Sequence, residues 1–408
     1  LQGDPTGFVA EFKYHNQGMT SFRSQVAIFL GLILLVGLGV FSFSVLWLNP
    51  KPVGQAPAYP KATYTSADSC VQCHQHEHNL WSDSHYDLAM QPANEDTVLG
   101  DFDHATFTHF GVTSTFFKKD GQYFVNTDGP DGQLRDFPIA YTFGVTPLQQ
   151  YLIAFPDGRY QALGICWDSR PESQGGQRWY HLYPDEPIPH DDSLHWTGPN
   201  QNWNFMCAEC HSTNLQKNYD LKSNTFNTTW SHINVSCEAC HGPGSNHLLW
   251  AQRNERGLAS NDPDMGLAFR MIDDGGTWQF QPGSDTAQRS IPRQADATID
   301  MCARCHSRRS AITLDYTHGQ SLLDTHQPEL IRDNLYHPDG QIRDEVYVYG
   351  SFLQSKMYHS GVTCTDCHNP HSMQVYSNDN ALCASCHHPD TFDTPDHHFH
   401  EQGTRASR

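Results

Sequence analysis

The distribution of apolar positions divides the chain into three stretches of different character. Residues 26–48 form an uncharged apolar run, and as a helix rising ~1.5 Å per residue this run would span ~34 Å, enough to cross a bilayer core. Residues 101–180 alternate apolar and polar positions between Asp-Gly pairs, a pattern that predicts β-hairpins with tight turns. From Trp203 onward, cysteine motifs follow one another so closely that only short helices and loops are expected.

These patterns predict a mostly α-helical and irregular fold with a β-rich insertion and one N-terminal transmembrane helix. The apolar run exceeds the ~7–15 apolar residues of a signal peptide, so a retained anchor is favoured over a signal that is removed after residues 56–58. The predicted segments are residues 1–24 (cytoplasmic), 25–48 (transmembrane anchor), 49–65 (Pro-rich tether), 66–100 (first motif), 101–200 (β-rich insertion), 201–400 (five motifs) and 401–408 (tail).

The cysteine motifs share the form Cys-x-x-Cys-His and occur six times. This spacing is the signature of covalent c-type haem attachment, in which two thiols bind one porphyrin and the adjacent imidazole is the proximal iron ligand. A redox dithiol or a zinc site would explain isolated Cys-x-x-Cys pairs, but neither explains a histidine after every pair. In chain order, motifs 1–6 are Cys70, Cys73 and His74; Cys207, Cys210 and His211; Cys237, Cys240 and His241; Cys302, Cys305 and His306; Cys364, Cys367 and His368; Cys383, Cys386 and His387.

The motifs account for twelve of the 13 cysteines. The remaining one, Cys166, lies in a predicted strand and is expected to be a buried apolar thiol. Six covalently bound haem c groups, each with its iron, are therefore predicted. Their porphyrins would supply much of the core, since the apolar content of 38% is low for a globular chain. The net charge of −20 argues against nucleic-acid binding and favours redox partner proteins with cationic patches, although solubility alone explains it equally well.

Each haem iron needs a second axial ligand, and histidine is the expected one, because 26 histidines stand against eight methionines. Bis-histidine haems of low potential are therefore predicted, since a methionine ligand raises the potential. Any one of these histidines is alternatively a surface or hydrogen-bonding residue. The preferred distal candidates lie near a motif and are His85, His247 and His371; the further candidates are His109, His195, His337, His359 and the cluster of His397, His398 and His400.

Several longer segments resemble a known superfamily. CHGPGSNH, GVTCTDCHNPHS, LCASCHHP and DTPDHHFH are similar to segments of the multihaem cytochromes that include hydroxylamine oxidoreductase and the pentahaem nitrite reductase. FGVTPLQQYL, QNWNFMCAECHSTNL and VYVYGSFLQSKMY resemble a bacterial group whose haem domain is often followed by tetratricopeptide repeats. The resemblance covers residues 66–400 and implies a mostly helical, loop-rich haem array. The nitrite reductases carry a lysine in place of one proximal histidine, and no motif here has it, which weighs against that activity.

The leading functional hypothesis is electron transfer by a membrane-anchored, exported hexahaem cytochrome between a membrane donor and an exported acceptor. Export is expected because apocytochrome thiols receive haem on the outer face of the bacterial membrane, which places the haem domain on the periplasmic or extracytoplasmic side. One alternative is a multihaem oxidoreductase that acts on a small nitrogen or sulfur compound at one five-coordinate haem. Another alternative is a cytochrome subunit of a larger membrane complex or filament.

Overall fold

The structure is a computed structural model that describes residues 59–258, 261–271, 275–293 and 297–404. The predicted cytoplasmic segment, the predicted transmembrane helix over residues 25–48 and most of the predicted tether lie outside these ranges. Within the ranges, no helix combines the length and the apolar character that crossing a membrane requires.

One antiparallel sheet dominates the first half of the described chain. Its strands are β1 (Met90–Pro92), β2 (Asp103–His109), β3 (Val112–Lys119), β4 (Gln122–Asp128), β5 (Leu134–Phe143), β6 (Leu148–Ala154), β7 (Tyr160–Ala162), β8 (Ile165–Asp168) and β9 (Arg178–His181). Seven of them follow the order β2-β3-β4-β5-β6-β8-β9, while β1 pairs with β5 and β7 pairs with β6. His109 of β2 stacks on His181 of β9 with ring centres 3.9 Å apart, so the two ends of the sheet meet and the sheet is nearly closed.

The tight turns predicted from Asp-Gly pairs are present in this sheet. Strands β3 and β4 pair as far as Lys119 and Gln122, which leaves Asp120 and Gly121 as a two-residue loop. Both loop residues have positive φ, 53° and 76°, as a type I′ turn requires. Alternate residues of β4, among them Val125, are buried, which is the pattern of a strand with one face on a core. The hairpin prediction is confirmed here.

Aromatic side chains form the core of the curled sheet. Phe116 and Trp179 stack with ring centres 3.6 Å apart, and Phe102 meets both rings edge-on. Full burial stabilises a side chain of this size by about 1.5–3 kcal/mol. Cys166 is fully buried in β8, which confirms the expectation of a buried apolar thiol. The sheet therefore has a core built from its own side chains.

A second apolar cluster joins the sheet to motif 2. Leu152 of β6 packs with Trp203 and Ala208, and Trp203 is only 1% exposed. Phe143 of β5 meets the ring of His211 edge-on, with ring centres 4.5 Å apart. The motif 2 histidine is therefore positioned by the sheet as well as by its own helical turn.

The remaining elements are short and are connected by loops and single 3₁₀ turns. The helices are α1 (Asp68–Val71), α2 (Gln75–Trp81), α3 (Trp203–Met206), α4 (Ala208–His211), α5 (Cys237–His241), α6 (Ser245–Glu255), α7 (Ala297–His306), α8 (Tyr349–Leu353), α9 (Lys356–His359), α10 (Asn380–Ala384), α11 (Pro389–Phe392) and α12 (Pro395–His398). Three small antiparallel pairs are formed by β10 (Tyr219–Asp220) with β11 (Thr225–Phe226), β12 (Trp278–Gln279) with β13 (Gln288–Arg289), and β14 (Arg309–Ala311) with β15 (His326–Pro328).

The prediction of a mostly α-helical fold is wrong, because helices and strands take nearly equal shares of the structure. The error has a physical origin. A Cys-x-x-Cys-His motif needs only about one helical turn, so six motifs add little helix, and the longest described helix, α6, has 11 residues. Each hairpin of the alternating stretch instead contributes two strands, and β5 alone has 10 residues.

Candidate haem-binding sites

Each motif places its two thiols and its histidine on about one helical turn. In motifs 1, 5 and 6, the amide of the histidine donates to the carbonyl oxygen of the first cysteine at 3.0, 3.0 and 2.9 Å. Residues three apart on such a turn lie on the same face, so the two cysteines of a motif can reach one porphyrin edge. None of the motif cysteines, all of which the structure describes, forms a disulfide. The local geometry therefore suits covalent haem attachment.

The motifs lie side by side in one connected series. A thiol of motif 1 lies close enough to interact electrostatically with one of motif 3, a thiol of motif 2 with one of motif 4, and another thiol of motif 4 with one of motif 5. These thiol pairs are Cys70 with Cys237, Cys210 with Cys305, and Cys302 with Cys364.

Weaker electrostatic contacts complete the series. Cys240 of motif 3 interacts with Cys305 of motif 4, and Cys367 of motif 5 interacts with both cysteines of motif 6. Motif 4 is thus the centre of the series, with motifs 2, 3 and 5 around it. Motif 1 lies beyond motif 3, and motif 6 lies beyond motif 5.

A buried glutamate inside motif 3 holds the start of motif 1 in place. Glu238 is 3% exposed, and its carboxylate accepts hydrogen bonds from the backbone amides of Thr65 and Gly244, both at 2.8 Å. A buried carboxylate is tolerated when its oxygens are hydrogen-bonded in this way. Because Thr65 lies just before motif 1, Glu238 fixes the segment that leads into motif 1 against motif 3.

A second carboxylate joins motif 2 to the segment after motif 4. Glu209 lies 3.0 Å from Nε2 of the buried His326 and forms an ion pair with Arg309 at 3.4 Å. Burial alone would raise the pKa of Glu209, but the hydrogen bond from His326 and the charge of Arg309 outweigh burial and lower it to about 2. The carboxylate is therefore ionised, and it connects motif 2 to the segment that follows motif 4.

Charged residues within motifs 4 and 5 make comparable contacts. Arg304 donates to the carbonyl oxygen of Ala239 in motif 3 at 3.3 Å. Asp366 accepts a hydrogen bond from Nε1 of Trp278 at 3.0 Å and pairs with Arg293 at 3.2 Å. In motifs 2–5, a residue between the two cysteines thus ties the motif to a neighbouring segment. Sequence reasoning missed these roles because it treated the two intervening positions as spacers.

The motif histidines include neutral imidazoles of the kind that iron ligation requires. Burial, with a smaller contribution from the motif 4 histidine, lowers the pKa of His211 to about 4. Burial also lowers the pKa of His241 to about 4, with smaller contributions from His371, His74 and His247. Nδ1 of His211 is buried with no hydrogen-bond partner among the described residues. The residues present therefore fit covalently bound haem. The chain has the motifs of a multihaem c-type cytochrome.

Two of the three preferred distal candidates lie beside a motif histidine. The ring centre of His247, in α6, is 6.1 Å from that of His74 in motif 1. The ring centre of His371 is 6.3 Å from that of His241 in motif 3. The third candidate, His85, is exposed in the turn that follows α2.

One further candidate lies in the sheet, and another lies in the segment that follows it. Nε2 of His109 lies 2.9 Å from the carbonyl oxygen of Tyr183. The buried His195 has Nδ1 within 2.8 Å of the Thr197 hydroxyl and Nε2 within 3.1 Å of Asp128. Both ring nitrogens of His195 are therefore occupied by hydrogen bonds within the sheet region.

The other candidates lie in the second half of the chain. His337 and His359 are exposed, and His398 is half-buried, with Nε2 4.0 Å from Asp393. Among the ring contacts of the described residues, none joins these three histidines, or the two described just above, to a motif histidine.

Two buried histidines near the motifs were not predicted. His318 is 6% exposed, and its Nε2 lies 3.1 Å from the carbonyl oxygen of Ala239 in motif 3. His326 is 1% exposed and contacts Glu209 in motif 2. Neither lies close to a motif in the sequence, so their spacing carries no signal.

No family model matches this chain, and no curated protein is significantly similar to it. One similar solved structure is the outer cell wall cytochrome OcwA, which is 17% identical with a TM-score of 0.44 and is matched over 80% of this chain and 63% of that chain. Another is the undecahaem cytochrome from the S-layer of Carboxydothermus ferrireducens, which is 16% identical with a TM-score of 0.39 and is matched over 83% of this chain and 44% of that chain.

This chain therefore spans less than two thirds of either similar structure. Both are cytochromes by name, while the assignment of this chain rests on its own motifs. The narrower resemblance to the hydroxylamine oxidoreductase superfamily and to proteins with tetratricopeptide repeats stays a prediction.

Proposed function

We propose that this chain is an exported hexahaem c-type cytochrome that passes electrons between a membrane donor and an acceptor outside the cytoplasm. The observation that carries the proposal is the connected series of motif thiols, in which each of the six proposed attachment sites has another as a neighbour. Bound haem supplies an iron that accepts and releases one electron. The residues of the chain hold the attachment sites in fixed positions and set the burial and hydrogen bonding that tune each iron.

The exposure of the motif cysteines supports a relay with two ends. Cys73 of motif 1 and Cys383 of motif 6 are exposed, whereas the other motif cysteines are at least partly buried. The longest path through the series runs from motif 1 through motifs 3, 4 and 5 to motif 6. Motifs 1 and 6 are therefore its two ends. Electrons would therefore enter and leave at these two motifs, where a partner protein can approach. The net charge of −20 for the whole chain favours partners with cationic surfaces.

Haem stoichiometry is the first test of the proposal. The mass of the denatured mature protein should exceed that of the polypeptide by six haem groups, one for each motif, because thioether bonds survive denaturation. Four or fewer additions in fully matured protein would contradict the proposed attachment.

Carbon monoxide binding distinguishes a relay from an enzyme. An iron with two histidine ligands has no open position, so the reduced wild-type protein should bind little carbon monoxide. The measurement is the change in the haem absorption spectrum on addition of carbon monoxide. Stoichiometric binding at one haem would instead favour an oxidoreductase that acts on a small nitrogen or sulfur compound.

A further inference from the structure

We infer that His247 is the distal ligand of the haem attached at motif 1 and that His371 is the distal ligand of the haem attached at motif 3. The inference rests on the proposed haem attachment, and it assigns two ligand pairs that the sequence leaves open. In both pairs, a histidine outside the motifs has its ring close to that of a motif histidine on a different segment of the chain.

The distance between the rings is the first argument. A metal–imidazole bond is ~2.0 Å long and the ring centre lies ~1 Å beyond the nitrogen, so two ligands on opposite sides of one iron have ring centres ~6 Å apart. The observed separations are 6.1 Å for His74 and His247 and 6.3 Å for His241 and His371. Both pairs therefore leave the space that one iron between them requires.

The hydrogen bonding of His247 is the second argument. Its Nδ1 lies 2.8 Å from the carbonyl oxygen of Met265, and since a carbonyl only accepts, Nδ1 carries the proton. The lone pair then resides on Nε2, which is free to bind a metal. Histidine ligands commonly donate their other ring N–H to a carbonyl group in this way, which fixes the tautomer and the ring orientation.

The backbone around His371 is held by a local turn. The side-chain oxygen of Asn369 accepts hydrogen bonds from the amides of His371 and Ser372 at 3.0 and 3.1 Å. The amide of Asn369 in turn donates to the carbonyl oxygen of Gln374 at 2.8 Å. These bonds fix the position from which the His371 ring reaches His241.

The other histidine ring pairs among the described residues do not meet the same conditions. His109 and His181 stack at 3.9 Å, which leaves no room for a metal between them. His398 and His400 are 6.0 Å apart, but neither belongs to a motif, and the amide of His400 donates to Nδ1 of His398. The pairs of His74 with His247 and His241 with His371 are therefore distinguished by distance and by motif membership together.

The assignment implies that ligation crosslinks separate segments. His247 follows motif 3 yet would bind the iron at motif 1, and His371 follows motif 5 yet would bind the iron at motif 3. Motifs 1, 3 and 5 would thus be joined by coordination in addition to the contacts of Cys70 and Glu238.

Single substitutions test whether these histidines bind iron. In H247A and in H371A, one of the six ferric haems should change from low-spin to high-spin by electron paramagnetic resonance, and added imidazole should restore the low-spin signal. The matched control is H318A, which removes another buried histidine beside motif 3 and should leave all haems low-spin. A fully low-spin spectrum in H247A or H371A would overturn the assignment of that residue.

Haem-deletion backgrounds test the pairing itself. When motif 1 carries Cys70→Ser and Cys73→Ser, adding H247A should create no new high-spin haem, because its iron is already absent. Cys237→Ser with Cys240→Ser should likewise abolish the effect of H371A. A new high-spin signal in either double background would show that the histidine serves a different motif and would overturn the pairing.

An alanine variant that loses a haem could not show whether the histidine binds iron. Methionine variants provide a second test for that case. H247M and H371M retain a ligand at the same position, and each should raise the reduction potential of one haem, as measured by a spectroelectrochemical titration. Unchanged potentials with six haems attached would overturn the inference. Four or fewer haems in the wild-type protein would contradict the proposed function instead, so the two failures are distinguishable.

Discussion

Two regions of the molecule form their interiors in different ways. One is the sheet between Met90 and His181, and the other is the motif region from Trp203 onward. Eleven of the twelve buried residues of one core cluster, including Phe116 and Trp179, lie in the first of these ranges. The cluster confined to the motif region consists of three residues, and side chains such as Leu330, at 76% exposure, remain accessible.

This difference indicates what each region needs in order to fold. Aromatic burial within the sheet comes from the chain alone, whereas the motif region relies on polar contacts such as those of Glu238 and Glu209. A region that lacks an apolar core gains its folding free energy from the group that it binds, as small metal-binding domains do. We therefore expect the sheet to fold without haem and the motif region to require it.

Haem removal should produce the largest effect. With all motif cysteines replaced by serine, amides of β3, β4 and β6 should stay protected from hydrogen exchange, while amides of α5–α12 should exchange at nearly unfolded rates. The measurement is hydrogen–deuterium exchange followed by mass spectrometry, with the haem-loaded protein as the reference. Equal protection of both regions in the haem-free protein would contradict the comparison.

A core substitution should destabilise the sheet alone. Phe116→Ala removes a fully buried ring, and truncations of this kind cost about 3–5 kcal/mol. The midpoint of urea unfolding, followed by tryptophan fluorescence, should fall accordingly, while the haem absorption spectrum stays unchanged. The control is Phe110→Ala, which removes a ring that is 58% exposed. A haem spectrum altered by Phe116→Ala would show that the two regions are not independent.

The local features of both regions could be predicted from the sequence. The shares of helix and strand in the whole fold could not. Asp120-Gly121 marks a hairpin because few residues tolerate two successive positive φ angles, and the motif spacing marks haem attachment because one porphyrin requires it. Closure of the sheet through His109 and His181 depends on residues far apart in the chain, and no local pattern indicates it.

The candidate iron ligands were likewise predictable only as far as local sequence allows. His247 and His371 were preferred because they follow a motif closely, and both lie beside a motif histidine. The motif that each one faces was not predictable, because the facing histidine belongs to a different segment. The buried position of His318 beside motif 3 was not predictable either, because its contact with Ala239, which is a hydrogen bond and not ligation, exists only in the folded chain.

The contribution of the junction between the two regions to stability can be tested by comparing alanine substitutions at two glycines. Gly158, between β6 and β7, and Gly175 both have a φ of 81°, so alanine at either position costs about 1–2 kcal/mol in backbone strain. At Gly158 an added Cβ would also overlap the carbonyl oxygen of Phe226, whereas at Gly175 it would meet nothing within 4 Å. Gly158→Ala should therefore destabilise the protein by about 1–3 kcal/mol more than Gly175→Ala.

Urea unfolding of both glycine variants, in the haem-loaded protein, measures this difference. The amide of Phe226 also donates to the carbonyl oxygen of Asp157 at 2.9 Å, so the overlap falls on a contact between the sheet and the segment that follows motif 2. Equal midpoints for the two variants would show that this junction contributes no stability.

A pH dependence of the sheet is also expected. Burial, followed by the neighbouring His109, lowers the pKa of His181 from 6.5 to about 4. Between these two pH values the unfolded chain binds a proton that the folded sheet excludes, so the free energy of unfolding should decrease as the pH falls from 6.5 to 4 and change no further from this group below pH 4. The contribution of His181 is fully present above pH 6.5.

Replacing His181 by asparagine tests this dependence, because the backbone amide of Tyr183 donates to Nδ1 of His181 at 3.1 Å, and an asparagine oxygen can accept the same bond. In the haem-free protein, where the sheet unfolds alone, the urea midpoint of His181→Asn should vary less between pH 7 and pH 4 than that of the unsubstituted protein. His190→Asn, at an exposed histidine of the same region, should keep the original slope. If His181→Asn and His190→Asn show the same slope, burial of His181 is not the source of the acid sensitivity.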